Sequence, residues 1–174
     1  DERVARQLAA CAAGQRVGYG TIEAASYRVL ARRPEGAGAA RLRLARPAGG
    51  PLEVTTALLG LPGALAVAGG LAAAEAALGR PLTATEVAAG LEGAALREPG
   101  RLVPLELTDG TLLLDDTYNA NPGSVRSSIG VAQELARDRG ARLVLVLGEM
   151  RELGALSVEE HRRLGAALAV VAPA

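Results

Sequence analysis

The chain has no lysine, phenylalanine or tryptophan, and only one cysteine, one histidine, one methionine and three tyrosines among 174 residues. Without lysine, these residues cannot form a G-x-x-x-x-G-K-[ST] phosphate loop, whose ammonium must reach the β- and γ-phosphates. The lone cysteine, Cys11, has no partner for an internal disulfide, and one Cys with one His is too few for a zinc site. Cys11 reads instead as a small buried hydrophobe, and a reducing cytoplasm fits this usage. Three tyrosines are too few for a platform on which bases stack. Net charge is absent too: 19 arginines balance 19 acidic groups and the isoelectric point is near 6.8. No basic face is therefore expected for nucleic acid. Asp1-Glu2-Arg3 lacks the basic start and apolar run of a secretory signal.

Small apolar residues are abundant. Hydrophobic residues make up 49% of the chain and glycine contributes 22 more positions, so a core must be built from Leu, Val and Ala packed close together. The length suits one domain or parts of two. Val4, Leu8 and Cys11 predict a short helix over 2–13, closed by Gly14. The period then changes to two. Tyr27-Arg28-Val29-Leu30, Arg41-Leu42-Arg43-Leu44 and Leu52-Glu53-Val54-Thr55, with a turn at Pro47-Ala48-Gly49-Gly50, predict a small antiparallel meander. From Thr55 to Ala74 no residue is charged, which meets the formal length for a membrane span. Gly60, Pro62, Gly63, Gly69 and Gly70 interrupt it, so the preferred reading is a Leu61-Pro62-Gly63 turn and a close-packed internal helix from 64 to 78. Thr83-x-x-Glu86 is a capping box for a further helix ending near Leu91. A boundary between two units is expected near Pro99-Gly100.

Beyond it, Leu105-Glu106-Leu107-Thr108 and the apolar Leu112-Leu113-Leu114 read as strands joined by an Asp109-Gly110 turn. Asn121 is placed to cap a helix whose first residue is Pro122, with Val125, Ile129, Ala132, Leu135 and Ala136 on one side and Gly140 at its close. Leu143-Val144-Leu145-Val146-Leu147 predicts a second, fully buried strand. Ser157-x-x-Glu160 starts a last helix bearing Leu164, Ala167, Leu168 and Val171. Strand, helix, strand, helix is a doubly wound α/β pattern, whose ligands sit beyond the carboxyl ends of strands. Two polar loops occupy that position, Asp115 to Asn121 and Gly148 to Gly154.

Leu114-Asp115-Asp116-Thr117-Tyr118-Asn119-Ala120-Asn121-Pro122 resembles the opening of the C-terminal domain in the Mur ligases, in the branch that adds D-alanyl-D-alanine. Pro99-Gly100-Arg101-Leu102 is similar to that family's interdomain linker. Leu147-Gly148-Glu149-Met150-x-Glu152-Leu153-Gly154, with His161 and Gly165 beyond it, is similar to a second stretch, with Glu149 in place of Asp. Over 1–99 the resemblance rests on the order of elements, on Leu61-Pro62-Gly63 and on the alanine-rich helix after it. It implies residues 1–99 as the end of a central ATP-binding domain and 100–174 as the first half of a truncated, Rossmann-like C-terminal domain. It implies ATP and Mg²⁺ as cofactors, an acyl-phosphate intermediate, and UDP-N-acetylmuramoyl-tripeptide and D-alanyl-D-alanine as partners. The parent is expected to be a cytoplasmic monomer that binds neither nucleic acid nor membrane. Its P-loop and metal ligands would lie upstream, leaving this chain inactive alone.

Carried over residue by residue, the resemblance implies Arg101, Asp116 and Asn119 for ATP, and Tyr118 and Asn121 for the substrate. Local alternatives stand beside these roles. Arg101 is also readable as a solvated linker charge, Asn121 as a simple helix cap, Asp115 with Asp116 as a metal pair, and His161 as structural rather than acid–base. One departure concerns the helix after Gly63. Leu65, Ala66 and Gly69 stand where the family carries His, Asn and Asn, and apolar groups cannot replace those hydrogen bonds. The rival readings are a superfamily relative such as a folylpolyglutamate synthase, and a binding module that kept the fold without the ATP site.

Overall fold

A computed structural model describes residues 6, 10, 16–36, 38–93 and 98–170. The helix expected over 2–13 falls outside them except for Arg6 and Ala10, as do Cys11, Gly14 and Val171. The first sheet has four strands in the order β1 (Tyr19–Gly20), β2 (Tyr27–Glu35), β3 (Ala39–Ala45) and β4 (Leu52–Thr56). The antiparallel meander of β2, β3 and β4 follows the expected period of two. Ala40, Leu42 and Leu44 point inward, Arg41 and Arg43 outward, and Leu52, Val54 and Thr56 repeat the pattern. The short parallel strand β1 has no periodic signal and was not expected.

Helix α1 (Gly60–Leu78) covers the inward face. Leu42 and Leu44, both 0% exposed, meet Ala64, Val67, Ala68 and Leu71, and burying each leucine contributes roughly 1.5–3 kcal/mol. Glycine also lets the chain enter α1 tightly: a Cβ on Gly63 would sit 2.5 Å from the carbonyl oxygen of Leu58, just before the helix. Leu61-Pro62-Gly63 is not a separate turn but the first turn of α1, where proline's missing N–H removes no helical bond. By length and composition α1 would also suffice to cross a bilayer; here its buried side is packed on the sheet. Helix α2 (Ala84–Gly93) starts with the expected box, Thr83 N–H donating to Glu86 at 2.8 Å and Glu86 N–H to Thr83 Oγ1 at 3.2 Å.

In the second part β5 (Val103–Glu106) pairs antiparallel with β6 (Leu112–Asp115). Leu107 N–H donates to the Thr111 carbonyl, so Thr108–Gly110 reverses the chain, with Gly110 at φ +83. Helix α3 (Pro122–Asp138) and helix α4 (Ser157–Val170) follow, the latter after a short 3₁₀ turn. The strand expected at 143–147 is not found as such. The segment runs without a ladder, Val144 is 67% exposed and Val146 93%. Apolar residues on both faces are the signature of a sheet interior, but the described residues cover one side only. There Leu145 packs on Ile129, Met150 and Leu164.

The two parts meet through a third cluster, in which Leu59 lies against Val131 and Leu135 with Leu102, Leu112 and Leu114 around them. Arg32 of β2 holds Glu134 of α3 through both carboxylate oxygens, one bond measuring 2.7 Å. This bidentate pair and the seat of Gly60 under Val131 fix the start of α1 against α3.

Candidate functional site

At the carboxyl end of β6, the chain turns outward through Asp116-Thr117-Tyr118-Asn119 before Asn121 caps α3. The Asn121 side chain accepts from Gly123 N–H at 3.0 Å and Ser124 N–H at 2.9 Å, and Ser124 Oγ accepts from Asn121 N–H at 3.1 Å. This reciprocal box aims the helix N-terminus, with its partial positive charge, at the loop.

The linker before β5 folds onto the same place. Gly100, at φ +72, presents its carbonyl to Tyr118 N–H at 3.0 Å, and a Cβ there would sit 2.8 Å from that nitrogen. Arg101 lays its guanidinium on the Tyr118 ring, 4.1 Å from the centroid. Stacking uses the flat face of the group and leaves the in-plane donors for other partners. One of them, Nε, faces Glu98 at 3.3 Å in a pair more than half exposed on both sides, which binds weakly.

The result is an open cleft of about 140 Å³ lined by Gly100, Arg101, Asp116, Tyr118, Asn119, Asn121 and Ser124. All five residues singled out in the sequence line it, although Arg101 lies far from the others along the chain. Arg101 is the cation among these lining residues, and it sits across from a helix N-terminus; both favour an anion. Asp116 is less free than the sequence suggested. Its Oδ1 accepts from Leu102 N–H at 3.0 Å and its Oδ2 from the Ser128 hydroxyl. Asn119 Oδ1 takes the next amide, Ala120 N–H, at 2.8 Å, and its amide nitrogen remains a donor type.

The metal-pair alternative for Asp115 and Asp116 gains nothing from the geometry. Asp115 Oδ1 accepts from both Thr117 N–H and Thr117 Oγ1, a local turn, and no cluster of three or more His, Cys, Asp or Glu suited to a metal occurs among the described residues. His161 bridges structure rather than lining the cleft. Its Nδ1 meets the Ser157 carbonyl at 2.8 Å and its Nε2 accepts from Met150 N–H at 3.1 Å. These partners set the tautomer with the proton on Nδ1. Ser124 and Ser128 went unnoticed in the sequence. The Asn121-x-x-Ser124 spacing was a usable capping signal; Ser128 had none, because only the lie of α3 over the strand end brings it to Asp116.

In the first part, at the three positions for which the resemblance implies His, Asn and Asn, Leu65 is half-buried, Ala66 is exposed, and the Tyr19 ring rests on Gly69 at about 3.1 Å from where a Cβ would be. Deeper in, Glu75 of α1 accepts from Tyr27 Oη, Arg46 Nη1 and Leu82 N–H at 2.7–2.8 Å. Burial raises the Glu75 carboxyl, yet these three donors together hold it below its ordinary range. Burial and the bond to Glu75 push the Tyr27 hydroxyl up to about 12.

Residues 100–173 match the Mur ligase glutamate ligase domain. The chain is 42% identical over 118 residues to the UDP-N-acetylmuramoyl-tripeptide–D-alanyl-D-alanine ligase of Escherichia coli, covering 67% of this chain and 25% of that protein. It is 36% identical over 84 residues to the enzyme of the same name in Bacillus subtilis, covering 48% of this chain and 18% of that one. A crystal structure of MurF from Acinetobacter baumannii superposes with a TM-score of 0.67 at 29% identity, over 89% of this chain and 31% of that chain. The chain thus spans about a quarter of the length of the curated relatives it matches.

Proposed function

This chain belongs to the Mur ligase family, and from that premise we propose that it is part of a ligase adding D-alanyl-D-alanine to UDP-N-acetylmuramoyl-tripeptide in peptidoglycan precursor synthesis. In this reading residues 1–99 end the central ATP-binding domain and 100–174 begin the C-terminal one. The observation that carries it is the single cleft holding Arg101, Asp116, Tyr118, Asn119 and Asn121.

The proposed division of labour follows from donor types. Arg101, stacked and aimed by Tyr118, binds the ATP phosphates through its remaining N–H groups. Asp116 and Asn119 face the rest of the nucleotide, while Tyr118 and Asn121 border the incoming dipeptide. In the reaction, the tripeptide carboxylate attacks the γ-phosphorus and ADP leaves. The dipeptide amine then attacks the acyl phosphate, forming the amide and releasing phosphate. This chain supplies position and positive charge to that sequence, not a nucleophile. Mg²⁺ would neutralise phosphate charge, and its ligands are assigned to groups outside these residues. The parent acts as a cytoplasmic monomer.

A full-length protein carrying this segment should release phosphate only when ATP, the UDP-tripeptide and D-alanyl-D-alanine are all present; the 174-residue chain alone should release none. Phosphate release with glutamate in place of the dipeptide would instead favour a folylpolyglutamate synthase-like activity. A second reading, a binding module without the nucleotide site, is favoured by Leu65, Ala66 and the covered Gly69. Silence of the full-length protein in both assays would select it.

A further inference from the structure

We infer that Arg32 and Glu134 form an ionic latch that sets how the two parts of the chain sit together, with the Leu59–Gly60 corner as its pivot; the inference does not depend on what the cleft binds. At that corner the chain enters α1. Leu59 of the first part is buried among Val131, Leu135, Leu102, Leu112 and Leu114 of the second. Gly60 follows at φ +67, and a Cβ there would sit 2.1 Å from Val131 Cγ2, so α3 seats directly on backbone. The crevice beside this seat measures about 10 Å³, at or below the room one water needs. One knob in one socket resists separation, but it leaves the parts free to turn about it. Arg32 supplies the second point. It reaches from β2 to Glu134 and engages both carboxylate oxygens, Nη2 donating to Oε1 at 2.7 Å. Glu134 lies one helical turn beyond Val131 and next to Leu135, so pivot and latch share one face of α3.

The pair has the character of a contact that opens and recloses. Its side chains are 20% and 35% exposed, so water stands ready to take over either partner when they part. Arg46–Glu75 is the opposite case, sealed inside the first part, where separation would strand both ions. Arg32, assisted by Arg137 on the next turn of α3, holds the Glu134 carboxyl below its ordinary range, so the anion is present at neutral pH. The planar fork of arginine fixes direction as well as distance, which a stop against rotation needs. Arg101 and every other lining residue of the cleft belong to the second part. The latch therefore sets where the cleft stands relative to β2 and α1.

The test measures the distance between the two parts in the full-length protein, with native cysteines replaced by serine. Spin labels go on Ala48→Cys, in the exposed turn after β3, and on Ala155→Cys, in the exposed 3₁₀ turn before α4, and pulsed dipolar spectroscopy reads the distance distribution. Arg32→Ala and Glu134→Ala should each shift the population away from the latched distance about fivefold, on the scale of a lost ion pair that is only half shielded from water. The double variant Arg32→Ala/Glu134→Ala should shift it no further than either single change, as expected of one shared contact. Arg32→Lys keeps the charge without the fork and should fall between the wild type and Arg32→Ala. Raising the salt about tenfold should move the wild type toward the double variant and leave the double variant in place. Unchanged distributions in the single variants, single losses that add in the double variant, or a wild type indifferent to salt would each overturn the inference. Amide exchange across β2, β3 and β4 should stay at wild-type rates in Arg32→Ala; faster exchange there would show that Arg32 holds its own sheet instead of α3, and would overturn it as well.

Discussion

Replacing Glu75 should unfold the first part of this chain more effectively than any surface change. The carboxylate and its partner Arg46 are both about 95% buried, with side-chain exposures of 5% and 6%. Three donors converge on Glu75 from β2, from the Arg46 side chain at the end of β3, and from the loop after α1. Deleting the anion leaves the buried Arg46 guanidinium without its counter-charge, held only by the carbonyls of Gly49, Gly50 and Leu82, and leaves the Leu82 N–H without its acceptor. Breaking one side of such a pair costs about 3–5 kcal/mol, a large share of the roughly 5–15 kcal/mol available to a domain. Glu75→Gln keeps the shape and one acceptor while removing the charge, and should fall within that range. Arg46→Met/Glu75→Leu removes both charges and should be less destabilising than Glu75→Gln. Urea unfolding followed by far-ultraviolet circular dichroism measures both.

The pH dependence has a definite sign. Glu75 titrates below its ordinary 4.5 in the folded chain, so its stabilisation is complete above that value and is lost as pH falls through the lower, folded one. Glu75→Gln should flatten this acid limb. A loss below about 1 kcal/mol for Glu75→Gln, typical of a solvated pair, or an unchanged acid limb, would refute the argument.

Three further outcomes are expected. Asn121→Ala removes the acceptor for two amide donors and should cost about 1 kcal/mol in the same urea assay, with α3 fraying first by amide exchange. Gly60→Ala places a Cβ 2.1 Å from Val131 Cγ2 at φ +67; it should destabilise the chain by more than the roughly 1–2 kcal/mol of left-handed backbone strain, with part of the excess recovered by Val131→Ala. His161→Phe deprives Met150 N–H, whose residue is 1% exposed, of its acceptor. It should cost about 1–3 kcal/mol and raise amide exchange at 150 without moving KM for ATP.

Elements with a local signature were legible in the sequence. Alternation placed β3 and β4, the Thr83–Glu86 box placed α2, and Asn121-Pro122 placed the start of α3. Cleft residues 116–121 were legible because a strand end, a polar turn and a helix cap are consecutive. What escaped depends on distant partners. Arg32 and Glu134 are 102 residues apart, and Arg46 and Glu75 are 29 apart; nothing local marks either pair. Residues 143–147 misled for the converse reason, since their periodicity encodes burial on two sides and the described residues supply one. The double engagement of Asp116 was hidden as well, because Leu102 and Ser128 reach it from opposite directions in the chain.

The central claim is that the cleft between the linker and the α3 cap meets nucleotide phosphates through Arg101. Its most direct measurement is calorimetric titration of a non-hydrolysable ATP analogue with Mg²⁺ into the full-length protein and its Arg101→Ala variant. Losing charge-assisted hydrogen bonds of about 1.5–3 kcal/mol should weaken Kd by at least about tenfold. Equal affinity in the two proteins would contradict the claim.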